Sequence, residues 1–451
     1  MHDPNNNFDI NLEEISKIEG AASLELKVRN NKIEDLKFSI SEWKRFYTQA
    51  IKGKPAAAIP QLVARICGTC SNAHLLAAIE AVEKAFDIVP SAQTMLLRKL
   101  LYYGLIIRDH ALHLYVFSLP DLFGKDSILD FDENDPIQHE LLDDTFSVKE
   151  VGNQLSIVVG GRSVHAPQPM IGGFLKLPEL AQIKNLKNDL LNIRSKILKL
   201  IQIYLESKDY QVLKAPLSFA GLYSSDFSFL EGTVKSCTST DPSGSLAICK
   251  MIAEENLGRY LEGIVIPYSQ ARGFKFAENL MMVGALARLN ISKENLNSKT
   301  KESAKEALKL FPSTNIYHNN LAQAIEILHA IDASIEIIDG LNEITLEPPI
   351  RINLLSGRPK ETIGIGVIEA PRGSLYYKLE INTDGTVKKG EIIVPTGQNQ
   401  IVMEKAIYEL VESLLLTHIS QEKIIDEVEK LIRAFDPCMS CAAHFLKVKW
   451  K

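Results

Sequence analysis

The sequence predicts an α+β fold, dominated by helices and edged with β-hairpins. Three observations carry this. Leucine and isoleucine recur at three- and four-residue spacing through 180–208, and further helical stripes run through 318–340 and 401–433. Two other segments, 22–40 and 375–394, alternate apolar and polar residues around turn residues. Cysteine pairs lie near both ends, Cys67 with Cys70 and Cys438 with Cys441. A site built from both pairs would make residues 1–451 one cooperative domain.

Each element has a local reason. Leu24, Leu26 and Val28 alternate, Asn30-Asn31 turns the chain, and Ile33 to Ile40 returns. In 74–86, Leu75, Ala78, Ile79 and Val82 share a helical face; 93–118 reads as a second apolar-faced helix. The acidic stretch 125–145 reads as a surface excursion, and short strands around 154–160 are expected to bracket a turn at Gly160-Gly161. Leu375 to Ile381 and Val387 to Val394 flank Thr383-Asp384-Gly385-Thr386, a strong hairpin signal. No internal repeat or low-complexity linker divides the chain.

Composition narrows the function classes. Hydrophobic residues at 46% and charged residues at 24% describe an ordinary globular protein. A net charge of −6, with scattered Lys and Arg, gives no basis for nucleic-acid binding. No apolar run reaches the ~18–20 residues of a membrane span. Met1 to Asn7 is polar and does not read as a signal peptide. Six cysteines are too few for a disulfide scaffold in a chain this long, and their C-x-x-C pairing favours metal in a reducing compartment. Cys237 and Cys249 have no motif and read as free thiols.

Two C-x-x-C pairs can offer four thiolates to one centre, which suits zinc, nickel or iron–sulfur chemistry rather than calcium or magnesium. A zinc knuckle brings its pairs together within a few dozen residues. Here the metal would join the two ends of a large domain, which points to a buried catalytic centre. Spacing alone leaves a structural zinc site open.

The flanking residues decide further. Arg65-Ile66-Cys67-Gly68-Thr69-Cys70 with His74, and Asp436-Pro437-Cys438-Met439-Ser440-Cys441 with His444, resemble the large subunit of nickel–iron hydrogenases. Ile18-Glu19-Gly20 is similar to the family's N-terminal Arg-Ile-Glu-Gly-His, with Lys17 and Ala21 departing from it. Arg108 to Tyr115 with Pro120-Asp121, Gly160-Gly161-Arg162 with His165 and Gly172-Gly173, Val283 to Asn290, Ala370-Pro371-Arg372-Gly373, and Pro395-Thr396 with Asn399 follow in family order.

This resemblance implies a fold with a central helical bundle and peripheral hairpins. It implies a catalytic subunit that cleaves H2 reversibly into protons and electrons. The cofactor would be a nickel–iron centre: Cys67 and Cys438 terminal on nickel, Cys70 and Cys441 bridging to an iron that carries carbonyl and cyanide. His74 would donate to a cysteine sulfur and tune the metal. Arg372, presented by Pro371, would overhang the open metal position, oriented by Asp121 and Asp436. Glu19 would carry protons away from the Cys438 sulfur, a task for a carboxyl with a raised pKa.

The implied partners are an iron–sulfur small subunit, further electron-transfer subunits such as a flavin or other soluble-carrier module, and maturation chaperones. The expected compartment is the cytoplasm, with membrane contact only through partners. Ala285 and the stretch from His318 to Glu326 most resemble cytoplasmic hydrogenases coupled to soluble carriers. The alternative is an H2 sensor with the same site and little turnover. The related quinone-site subunit of respiratory complex I has lost these cysteines.

Two features depart from the family. It often holds magnesium between a glutamate and the terminal histidine. Thr48 stands where that glutamate is usual, and a neutral hydroxyl is a poor ligand for a hard cation at His444. Only Phe445 to Lys451 follows His444. This alternating apolar and basic tail, which could dock as a short edge strand, is expected to be retained or only inefficiently removed.

Overall fold

Alternation at the start of the chain becomes sheet in the computed structural model, which describes residues 7–213, 217–239, 246–277, 279–345, 360–417 and 419–443. Strands β1 (Phe8–Leu12), β2 (Ala22–Arg29) and β3 (Lys32–Ile40) pair antiparallel in that order. Leu24, Leu26, Val28, Phe38 and Ile40 fill the buried face. Asn30 and Asn31 turn with φ of 52° and 61°, a left-handed pair that asparagine tolerates.

Helix α1 (Ser71–Ala85) starts directly after Cys70. Helix α2 (Ala92–Ala111) continues into a π-helical stretch, Leu112–Ser118. The next element corrects the sequence reading. Residues expected to form a surface excursion and short strands form one helix, α3 (Pro136–Gly160). Glu140, Asp143 and Glu150 occupy the solvent side, Asp144 is buried and pairs with Lys196, and Leu141, Val148, Leu155 and Val159 make the buried stripe. Asp135 caps it by accepting from the Ile137 and Gln138 backbone N–H groups, and Gly161 ends it at φ 85°. Helices α2 and α3 touch at Gly104 and Gly152, where a Cβ on Gly152 would lie 2.7 Å from the Arg108 nitrogen. Helix α4 (Leu180–Glu206) has the expected span.

A four-stranded sheet follows that the sequence did not reveal. Strands β4 (Leu217–Tyr223), β5 (Thr233–Ser239), β6 (Leu246–Ile252) and β7 (Leu280–Met282) lie in the order β7-β4-β5-β6. Cys237 and Cys249, read as free thiols, are opposite residues of β5 and β6 and form a disulfide with Cα atoms 4.1 Å apart. Strand register, not a motif, brings them together.

Helix α5 (Ala285–Ser292) leads to α6 (His318–Gly340). Helices α2, α3, α4 and α6 pack on one another as the central bundle. Strands β8 (Thr362–Ala370), β9 (Gly373–Ile381) and β10 (Val387–Ile393) form an antiparallel sheet against α1. The stretch expected to be helical over 401–433 holds two helices, α7 (Pro395–Leu415) and α8 (Gln421–Ala434), with Ser420 capping the second. A short turn, α9 (Met439–Ala442), carries the last cysteine.

Helix α1 and strand β8 approach so closely that a Cβ on Gly364 would collide with the Ala81 carbonyl oxygen, and one on Gly366 with that of Ala77. This seam fixes the helix that begins at Cys70. Gly364→Ala is expected to destabilise the fold by about 1–3 kcal/mol, the usual cost of overpacking. Denaturant unfolding measures this, and unchanged stability would mean that the seam does not hold α1 in place.

Candidate metal centre

The four motif cysteines converge. Cys67 is extended (φ −144°, ψ 146°), and Cys70 immediately precedes α1. Cys438 is likewise extended, and Cys441 lies within α9. Each two-residue spacer therefore leads from an extended cysteine to one at or just inside the start of a helix. The four Sγ atoms lie within 4.8 Å of one another, and the residues are 1–4% exposed. Cys67 and Cys438 are 3.4 Å apart at sulfur, Cys70 and Cys441 3.1 Å, Cys438 and Cys441 2.8 Å. Tetrahedral thiolates on a metal would stand about 3.7 Å apart, given metal–sulfur bonds near 2.3 Å. These three spacings are somewhat shorter than that value, and all four sulfurs lie within 4.8 Å of one another.

Electrostatics also fit a cation. Hydrogen bonds from Cys438, Cys441 and Cys70 hold the Cys67 thiol well below its usual pKa, while burial pushes Cys438 and Cys441 well above theirs. Four buried sulfurs cannot all ionise at this separation without positive charge between them. A soft metal supplies it.

Glu19 reaches the cluster from the other end of the chain. It forms an isolated parallel bridge with Cys438. The Glu19 carbonyl accepts from the Met439 N–H at 2.9 Å. Its Oε2 accepts from the Cys438 thiol at 3.0 Å and from the Ser440 N–H at 3.1 Å. Burial raises the Glu19 carboxyl above its usual range, and the Cys67 sulfur adds to the rise.

His74 lies one turn into α1. Its Nε2 stands 3.5 Å from the Cys441 sulfur and its Nδ1 2.7 Å from the Tyr377 hydroxyl on β9. With the proton on Nε2, the imidazole donates toward sulfur and Tyr377 donates to Nδ1. Nothing in the sequence marked Tyr377.

Arg372 sits in the β8–β9 turn after Pro371 and is 4% exposed. Its guanidinium pairs with Asp109 Oδ2 at 2.8 Å and with Asp436 Oδ1 at 2.9 Å. Asp436 has φ +49° just before Pro437, a left-handed backbone uncommon outside glycine, and accepts from Gln323 Nε2 at 2.8 Å. The expectation for Asp121 is corrected here. Asp121 pairs with Lys17 at 2.6 Å and takes both ends of the Arg433 guanidinium, at 2.6 and 3.0 Å. Asp109, on the last turn of α2, occupies the place expected for it. The available signal was the aspartate directly before His110 in the His-x-x-His helix. Asp109 Oδ1 and Arg372 Nε are buried without hydrogen-bond partners among the described residues, as atoms facing a bound group would be.

The Gly160 to His165 turn is tied to the first cysteine motif. The His165 N–H donates to Ser71 Oγ, and Arg108 donates to the Ser163 and Thr69 carbonyls. His444 and the Phe445 to Lys451 tail lie outside the described residues. Thr48, in the short helix Tyr47–Ala50, lines a cavity with Lys52, Arg272, Lys389, Glu391 and Ala442. Three cationic side chains against one carboxylate do not suit a divalent cation.

Comparison with known proteins agrees with this geometry. Residues 45–140 and 260–444 match the family model described as nickel-dependent hydrogenase. Sulfhydrogenase 2 subunit alpha of Pyrococcus furiosus is 31% identical over 442 residues, covering 97% of this chain and 100% of its own. Sulfhydrogenase 1 subunit alpha of the same organism is 28% identical over 449 residues, covering 97% and 98%. The crystal structure of an NAD+-reducing NiFe hydrogenase in the H2-reduced state has the same fold, with a TM-score of 0.82 at 22% identity over 97% of this chain and 99% of that one.

Proposed function

The chain belongs to the nickel-dependent hydrogenase family as its catalytic subunit, and from that premise we propose that it cleaves H2 reversibly and passes the electrons to an iron–sulfur subunit. The observation that carries this is the meeting of four buried sulfurs at one point, with Glu19 hydrogen-bonded to Cys438 and Arg372 held by Asp436, two residues before Cys438. Cys67, Cys70, Cys438 and Cys441 would together hold a nickel–iron centre. The nickel–iron centre, when bound, supplies the redox chemistry that splits dihydrogen.

The residues around it handle protons and charge. Glu19 Oε2 takes a proton from the Cys438 sulfur, 3.0 Å away, and releases it toward the surface. Asp109 and Asp436 hold the Arg372 guanidinium as a fixed cation over the site. His74 donates to Cys441 and steadies the charge on that sulfur. Burial of the four cysteines keeps water from the reacting atoms.

Electrons must leave through another chain. The sequence holds six cysteines; four converge at the centre and two form the Cys237–Cys249 disulfide, so none remains for an iron–sulfur cluster. Trp43 is 86% exposed and Phe46 46%. Both lie in the loop after β3, where Arg45 donates to the Ser440 carbonyl at 2.7 Å. We assign this aromatic face to the iron–sulfur partner. Trp43→Asp is expected to weaken subunit association about 30-fold, a hot-spot loss near 2 kcal/mol. Titration of the purified subunits checks it, and unaltered affinity would move the interface elsewhere. Among the described residues no helix is long and apolar enough to cross a membrane. A cytoplasmic complex, assembled by maturation chaperones and coupled to a soluble carrier, fits this reading. The chain serves in it as one cooperative domain, since the centre draws on both ends.

Arg372→Lys should still load metal but lose activity by about 10²-fold, because lysine keeps the charge and not the planar two-carboxylate geometry. Hydrogen uptake of the loaded variant decides. Nearly full turnover would show that Arg372 has no part in the reaction. The overall reading is tested by H2 incubated with the matured complex in D2O. Formation of HD and D2 is expected, and a nickel-loaded sample that forms neither contradicts the assignment.

A further inference from the structure

We propose that Arg288 is a positioning residue: it sets the place of Arg372 over the metal centre by holding both partners of the Arg372–Asp109 ion pair. This rests on the role given to Arg372 above. Arg288 lies on α5, 2% exposed, between Glu326 of α6 and Glu369 of β8, both 0% exposed. A guanidinium has five N–H donors, and all are used. Nε and Nη2 donate to the two oxygens of Glu326, each at 2.6 Å. Nη1 donates to Glu369 Oε2 at 2.9 Å. The remaining two donors go to the Ala370 carbonyl at 3.0 Å and the Pro371 carbonyl at 2.9 Å.

Those carbonyls belong to the two residues directly before Arg372. On the other side of the turn, Ser374 Oγ donates to Glu369 Oε1 at 2.6 Å, and the Ser374 carbonyl accepts from Gln398 at 2.7 Å. The backbone from Ala370 to Ser374 is therefore gripped on both sides of Arg372. Gly373, at φ +127°, fits against Val283 and leaves no room for a Cβ. The second arm of the network leads to the other partner. Glu326 Oε2 is 2.9 Å from His110 Nε2, and His110 directly follows Asp109 on α2. One guanidinium thus links the turn that presents Arg372 to the helix end that presents Asp109.

Stability does not explain the arrangement. Replacing a buried ion network by well-packed apolar residues of similar volume is often neutral or stabilising. What the triad supplies is geometry. Lysine could reach one carboxylate and one carbonyl, but its tetrahedral ammonium could not hold a carboxylate side-on and two successive carbonyls together. A displacement of about 1 Å at a reacting group commonly costs 10²-fold in rate.

The test is a double-mutant cycle on the matured complex. Arg288→Lys should bind nickel normally, lower turnover about 10- to 100-fold, shift the infrared bands of the iron ligands, and speed amide hydrogen exchange at residues 370–374. In an Arg372→Lys background, the same substitution should change turnover less than about threefold, because its effect passes through Arg372. Fully additive losses, or a nickel-loaded Arg288→Lys with unaltered bands and amide exchange, would overturn the proposal. If Arg288→Lys does not accumulate, Glu326→Gln carries the same cycle, since it breaks the side-on pair while keeping the shape. Should Arg372→Lys itself turn over normally, the role of Arg372 fails. Amide exchange at 370–374 in Arg288→Lys then still reports whether Arg288 holds the turn.

Discussion

Cys441→Ser is expected to leave the purified chain without nickel or iron, and so without activity. The Cys441 sulfur lies 2.8 Å from Cys438, 3.1 Å from Cys70 and 3.5 Å from His74 Nε2. A cysteine thiolate is a soft ligand, and a serine hydroxyl is a hard, protonated donor in its place. Three thiols would remain with no geometry to close a centre. Elemental analysis of protein matured in a competent host measures the result. Wild type should carry about one nickel per chain, in keeping with one four-sulfur site. Cys249→Ser is the control: it removes the β5–β6 disulfide, neither cysteine of which belongs to the four-sulfur cluster, and should leave nickel content unaltered. Full nickel occupancy in Cys441→Ser would show that this sulfur is not a ligand.

Glu19→Gln should do the opposite, keeping the metal and stopping the proton. Glutamine preserves the size of the side chain and its backbone bridge to Cys438, so the termini stay joined. What it loses is a transferable proton at neutral pH. Removing a positioned acid–base group typically costs about 10²–10⁴-fold, and H2/D2O exchange should fall by that amount while nickel content holds. Glu19 contacts the Cys438 sulfur directly at 3.0 Å and the Cys67 sulfur at 3.9 Å. If exchange in Glu19→Gln stays near wild type, protons leave by another path.

How far the sequence revealed this site depends on the range of each signal. Thiolate spacing is local, and Cys67, Cys70, Cys438 and Cys441 converge as their spacing implied. Glu19 and His74 contact its sulfurs, and Asp436, two residues before Cys438, pairs with Arg372. Asp109 was passed over for Asp121 because the choice depends on helical rotation. The π-helical stretch Leu112–Ser118 lies between them and alters the angular spacing that a regular helix would give. Arg288 and Tyr377 act from elements distant in sequence, through packing that no motif records.

The fold shows the same division. Helix α4 has a sustained apolar stripe and was read with nearly its true bounds. Helix α3 was missed because its exposed acidic face outweighed a sparse buried stripe, and Val158-Val159 suggested a strand. Strand β4 is buried along nearly its whole length, so Leu217 to Tyr223 lacks the alternation that marks a half-exposed strand.

The central claim is that Cys67, Cys70, Cys438 and Cys441 hold a nickel–iron centre, not a lone structural metal. Infrared spectroscopy of the matured, nickel-loaded complex tests it most directly. Iron-bound carbonyl and cyanide absorb in a window free of protein bands, and no side chain can imitate them. The account predicts these stretches together with about one nickel per four-sulfur site. A folded sample that carries zinc at the four cysteines, or nickel without any such bands, would contradict it.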